Sequence, residues 1–239
     1  MTSSLKKTLS LGAAFLAGVA ATTMLGANAT QPADPMDAGM PADLPPGMDP
    51  EGMARWMEFM TPGSEHAQMA ADATGDWVVT SQYWTDPDGP AQESIFNASV
   101  RPVLGGRFCV EHMSGDVMGM PFEGMGVVGY DNHKDMWVSI WMDNMSTSIY
   151  YSEGKEQPDG RVVMYGEFYD PMNNIEGRQR ITLDASDPEN PKMTMEHQID
   201  GDWQTAMVMT RKRSSGHADG HGDHDSRGHD NDHDGGHSR

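Results

Sequence analysis

Residues Gly105 to Asp143 read GGRFCVEHMSGDVMGMPFEGMGVVGYDNHKDMWVSIWMD. Apolar and polar side chains alternate along most of this stretch, which is the period of a half-buried strand. Gly-Gly-Arg-Phe, Pro-Phe-Glu-Gly, Gly-Tyr-Asp and Trp-Met-Asp interrupt or end the alternation, so the stretch predicts hairpins whose turns are set by glycine.

The same period extends in both directions. Segments at 77–84, 93–104, 107–113, 123–131, 135–143, 147–154, 161–170, 177–184, 192–200 and 202–213 each read as a strand. Asp88-Gly89, Asp131-Asn132, Asp159-Gly160 and Asp200-Gly201 supply turn chemistry between several of them. About ten sequential strands with short links predict an up-and-down antiparallel β-barrel, which also leaves no sheet edge open. One or two short helices precede it. Asp49 is placed to cap the first, with Pro50 in its first turn and Met53, Trp56, Met57 and Met60 on one face. Pro62-Gly63 ends that helix, and Ser64 is placed to cap a second over SEHAQMAADA.

The flanks are of a different kind. Lys6 and Lys7, an apolar run from Leu9 to Leu25 and Ala27-Asn28-Ala29 form a signal-peptide pattern over residues 1–29. An uncleaved anchor is the alternative. The expected setting is periplasmic or secreted, with no membrane contact after the signal is removed. Residues 30–50 hold six prolines and read as a disordered Pro- and Met-rich linker. Residues 51–213 carry the barrel pattern. Residues 214–239 lack Phe, Trp, Tyr and branched apolar residues, so they cannot build a core and read as a disordered tail.

Formal charge is −20 for the whole chain. Such a surface repels nucleic acid, and no basic groove is present. Cys109 is the single cysteine, so an internal disulfide is impossible and stability rests on packing. Its place in a strand marks it as a small buried residue rather than a nucleophile.

Gly75-Asp76-Trp77 at the first strand resembles the Gly-x-Trp signature of lipocalin-like, or calycin, barrels. That resemblance implies that Trp77 closes one barrel end and that an arginine of the last strand, Arg211 or failing that Arg213, packs across it. Pro62-Gly63-x-Glu65-His66, Gly105-Gly106-Arg107-Phe108, Phe122-Glu123-Gly124, Gly129-Tyr130-Asp131, Trp141-x-Asp143 and Asp170-Pro171 are similar to elements of DUF1579, a bacterial family of unknown function. The resemblance runs from about Met60 to Arg211 and implies a fold without implying a reaction. The linker and the His-rich tail are additions to the family pattern.

Candidate ligand contacts follow from strand parity. Arg107 and Glu111 share one face, Trp141 and Asp143 another, and Arg180 a third. Were these faces turned inward, Arg107, Glu111, Asp143 and Arg180 would form a charged cluster in an aromatic cavity, with Tyr130 beside it. No organic cofactor is implied, and the partner would be an unidentified small molecule. For catalysis the sequence offers no Gly-x-Ser-x-Gly elbow, phosphate loop or His-Glu-x-x-His helix. His66, His112, His133 and His197 are scattered, so no catalytic residue is assigned.

The tail carries clear ligand chemistry. His217, His221, His224, His229, His233 and His237 alternate with aspartates. Imidazoles at this spacing let a flexible chain wrap Zn²⁺, Ni²⁺ or Cu²⁺. The chain also has 22 methionines, whose thioethers favour Cu(I) when they are not simply packing. Three readings result, in this order: a small-ligand-binding barrel with a metal-binding tail, a periplasmic Zn, Cu or Ni buffer or carrier with the barrel as scaffold, and an unidentified enzyme.

Overall fold

The computed structural model describes Gly47 and residues 49–86, 88–171 and 174–214. The expected signal peptide, most of the linker and all six tail histidines lie outside the described residues.

Two helices, α1 (Pro50–Met60) and α2 (Ser64–Ala73), precede ten strands. These are β1 (Gly75–Tyr83), β2 (Gln92–Val103), β3 (Phe108–Val117), β4 (Met120–Asp131), β5 (Met136–Asp143), β6 (Tyr150–Glu156), β7 (Val162–Asp170), β8 (Ile175–Asp184), β9 (Lys192–Ile199) and β10 (Asp202–Arg213). Each strand pairs antiparallel with its sequence neighbours, and β1 pairs with β10 to close the barrel. The expected up-and-down barrel is the observed one.

Alternation explains closure. Trp77, Val79, Ser81 and Tyr83 of β1 point inward while Asp76, Val78 and Gln82 face solvent, and β2, β3, β5 and β9 repeat the pattern. The inner residues form one continuous core of aromatic, aliphatic and methionine side chains. Removing each large apolar side chain from water contributes about 1.5–3 kcal/mol, which is how a barrel without a disulfide is held. The β3–β4 hairpin is tighter than the sequence pattern suggested. Between β3 and β4 only Met118 and Gly119 turn the chain, with φ of 56° and 79°. Positive φ at both positions is the signature of a two-residue turn whose twist matches the strands, and it carries β3 on to Val117 rather than Met113.

The helices lie across the barrel end where β1 begins. Asp49 caps α1 as expected, its carboxylate accepting from the Gly52 amide at 2.6 Å. Only Met53 of the expected apolar face is fully buried, and Trp56 is 47% exposed. The cap of α2 is Gly63 rather than Ser64, because the Gly63 amide donates to His66 Nδ1 at 3.0 Å and moves the helix start by one residue.

Candidate functional site

The end of the barrel beneath the helices is built from three of the motifs picked out above. His66 accepts from Gly63 at Nδ1, bonds the Tyr130 backbone and meets the Tyr130 ring edge-on at 6.0 Å. Burial holds its imidazole below the ordinary histidine value, so it is neutral at pH 7. Tyr130 in turn stands edge-on to Trp137 at 5.2 Å and donates to Asp135 at 2.6 Å. Arg107 donates from Nε and Nη2 to the Met60 carbonyl, at 3.2 and 2.9 Å, and from Nη1 to Leu104. Asn132 donates to the carbonyls of Glu58 and Thr61. A crevice of about 340 Å³ remains between Phe59, Met60, His66, Arg107 and Tyr130. The donors of Arg107, both His66 nitrogens and the Tyr130 hydroxyl are engaged. Arg107 and Tyr130 therefore line the same crevice, each holding a helix or its connection through its own partner.

Trp77 lies at the same end, 3% exposed, its indole donating to the Ala73 carbonyl at 3.0 Å. Arg213 crosses its ring at 4.3 Å and ties back to Thr74 and Asp72, while Arg211 lies at 5.7 Å on the inner side. Both arginines thus contribute to the closure, Arg213 more closely. Arg211 instead turns inward to Glu111, with a closest approach of 3.2 Å between residues 5% and 2% exposed. That contact lacks hydrogen-bond alignment, and Arg211 Nη1 and both Glu111 oxygens have no hydrogen-bonding partner.

Trp141 and Asp143 form a compact unit. The indole packs flat over Gly124 and Gly126 and donates to Asp143 Oδ2 at 2.9 Å, while Asp143 Oδ1 receives the Met145 amide. Arg180 lies on the outer face. Its guanidinium covers Trp203 at 4.6 Å and forks onto Glu196 at 2.6 and 2.8 Å. The charged inward cluster of Arg107, Glu111, Asp143 and Arg180 therefore does not exist. Parity is the reason: β8 turns Gln179, Ile181 and Leu183 inward, so Arg178 and Arg180 must face out.

A second polar group occupies the interior nearer the other end. Ser139, Ser152, Gly166, Gln179 and His197 are consecutive partners across β5 to β9 and form one row around the wall. Gln179 Nε2 reaches across Gly166 to Ser152 Oγ at 3.2 Å, and a Cβ on Gly166 would stand 2.6 Å from that hydroxyl. Glycine keeps the span open. Gln179 Oε1 and both nitrogens of His197 have no partner, although these residues are 0% and 1% exposed. Phe168 stacks on His197 at 3.8 Å and 7°. Burial pushes the His197 imidazole down to about 4, outweighing the charge of Asp170.

The barrel wall beside this row is incompletely paired at the seam of β6 and β7. Their pairing covers only Ser152–Glu156 against Val162–Gly166, so Glu167–Asp170 pair on one side alone, with β8. A cleft of about 480 Å³ opens there, lined by Ile149, Tyr150, Glu167, Phe168 and Arg178. Phe168 and Tyr150 form its inner wall, and Phe168 separates it from His197. In the sequence His197 is one of four scattered histidines without a task, and Gln179 is hidden between two arginines. Cys109 is buried, its thiol pushed up to about 11 by burial, as a core residue.

A closed ten-stranded antiparallel barrel, capped by helices at one end and largely apolar inside, defines a lipocalin-like fold. The chain belongs to the family described as Protein of unknown function (DUF1579), whose model matches residues 61–213. No curated protein matches the chain.

Proposed function

We propose that the barrel binds a small, largely apolar molecule in its interior, at His197 and Gln179. The observation that carries this reading is that Gln179 Oε1 and both nitrogens of His197 are buried without hydrogen-bonding partners among the described residues. Each such group costs about 1–3 kcal/mol when left unsatisfied, so a sequence selected for stability alone would replace them. A neutral His197 offers one N–H and one acceptor nitrogen, and Gln179 adds a carbonyl. Met164, Met193, Met195 and Phe168 surround them with apolar surface. This suits a guest with one or two hydroxyl or amide groups on a hydrocarbon or aromatic body. The seam between β6 and β7 is its route, with Phe168 and Tyr150 as the parts that move.

The signal-peptide pattern supports a setting outside the cytoplasm in the same proposal, and the ligand chemistry of the histidine tail supports divalent metal binding. Calorimetry of the full-length protein with Zn²⁺ or Ni²⁺ is expected to show affinity falling as pH drops through about 6.5.

The barrel reading is tested by denaturing full-length protein, extracting it with organic solvent and identifying released molecules by mass spectrometry. A molecule present in stoichiometric amount with wild type and lost with His197→Met supports the reading. Equal yields from both proteins, or none together with no thermal shift across a library of hydroxylated and amide compounds, would overturn it.

A further inference from the structure

The outer face of the barrel carries a second constellation, on strands β2 to β5. Ser99 pairs with His112, His112 with Met125, and Met125 with Met142. Cross-strand partners on one face hold their Cβ atoms about 5 Å apart. An imidazole and two thioethers therefore stand in one line on three adjacent strands. The imidazole is exposed and the two methionines are half-buried. They line a groove of about 850 Å³ whose other walls include Asn97, Ser114 and Ser214.

Thioethers are an odd choice there. Outward positions of a sheet favour threonine, valine or charged residues, and the neighbouring outward side chains Asn97, Ser114 and Glu123 are polar. Met125 and Met142 do not extend the inner core. Among the described residues no three His, Cys, Asp or Glu side chains are placed to hold a metal ion, so a site for a hard cation is not what this surface offers. One imidazole with two thioethers is a soft donor set, which suits a monovalent d¹⁰ ion over Zn²⁺. Both methionines carry flexible side chains, and either can bring sulfur toward an ion shared with the imidazole. A formal charge of −20 adds a field that concentrates cations near the surface.

We propose that His112, Met125 and Met142 form a Cu(I)-class site on the outer wall, independent of the buried polar row. Ser214 lies in the same groove, so the histidine-rich tail begins beside the site.

The test uses full-length protein carrying ¹³C-methyl methionine, titrated with Ag(I) as a redox-inert stand-in for Cu(I). Met125→Leu and Met142→Leu assign the two resonances and, being conservative, leave the fold intact. The expected result is that both methyl signals shift together and saturate at one added site. His112→Ala or either leucine variant then weakens that site at least tenfold. Two outcomes would overturn the proposal. In one, both signals stay fixed after the linker methionines and tail histidines have saturated. In the other, they shift equally in wild type and in His112→Ala.

Discussion

The two ends of the barrel are built on opposite terms. Under the helices His66, Arg107, Tyr130, Asn132 and Trp77 have their polar atoms engaged, and the bonds of Arg107, Asn132 and Trp77 join a helix or its connection to the barrel wall. In the interior toward the opposite end, His197 and Gln179 sit in full burial with polar atoms unmatched, behind a seam where the sheet stops pairing. The first region is closed, and its one unmatched group among the described residues is the buried Glu111–Arg211 ion pair. The other keeps a cost that folding alone does not require. Motif residues that draw the eye in sequence belong mainly to the first region, and they explain stability rather than recognition.

That contrast is broken most forcefully at Trp77. Trp77→Ala removes a buried indole that two arginines cover, and a loss of about 3–5 kcal/mol is expected in urea unfolding. Retention of wild-type stability would mean that the helix-capped end is not what holds the barrel shut.

The next effect belongs to pH. His197 falls from 6.5 to about 4 on folding, so the unfolded chain takes up a proton that the native state refuses. Stability from this group is complete above about 6.5 and is lost as pH drops toward 4. At about 1.4 kcal/mol for each pKa unit the loss is about 3 kcal/mol. His197→Met should flatten that acid limb in stability measured from pH 7.5 to 4, leaving a residual slope from His66. An unchanged limb would show that His197 is not held neutral by burial.

His66→Ala comes third. It removes the Gly63 cap and the contact with Tyr130, for an expected loss of about 1–2 kcal/mol. Release of the bound molecule in the extraction assay should be unaffected, and its loss would join the two regions that the comparison separates. Smallest is Glu196→Gln, which leaves Arg180 on Trp203 but weakens an outer-face ion pair. A change of about 0.5–1 kcal/mol is expected in thermal unfolding, with none in ligand occupancy.

How far the sequence reaches differs by level. All ten strands were legible, because each carries alternation that only a half-buried strand needs. The phase was harder. In GRQRITLD polar residues fill both faces until Ile181, and counting back by two from Ile181 and Leu183 puts Gln179 inside and Arg180 outside. His197 could be found the same way from Met193 and Met195. The pairing of Glu111 with Arg211 could not, since it joins strands far apart in the chain and depends on how the barrel closes. Nor could the open seam, which is a register event at Ser152 and Gly166 rather than a composition. The α2 cap was missed by one residue because the histidine three positions on, and not the serine hydroxyl, accepts the orphan amide.

The central claim is that the buried polar row is kept for binding and not for folding. Urea unfolding of full-length wild type and His197→Met at pH 7.5 addresses it directly. Methionine matches the volume of the imidazole and carries no unmatched nitrogen, so the variant should be at least as stable as wild type, within about 1 kcal/mol. A loss of about 2 kcal/mol or more would contradict the claim and make His197 a structural residue of the barrel.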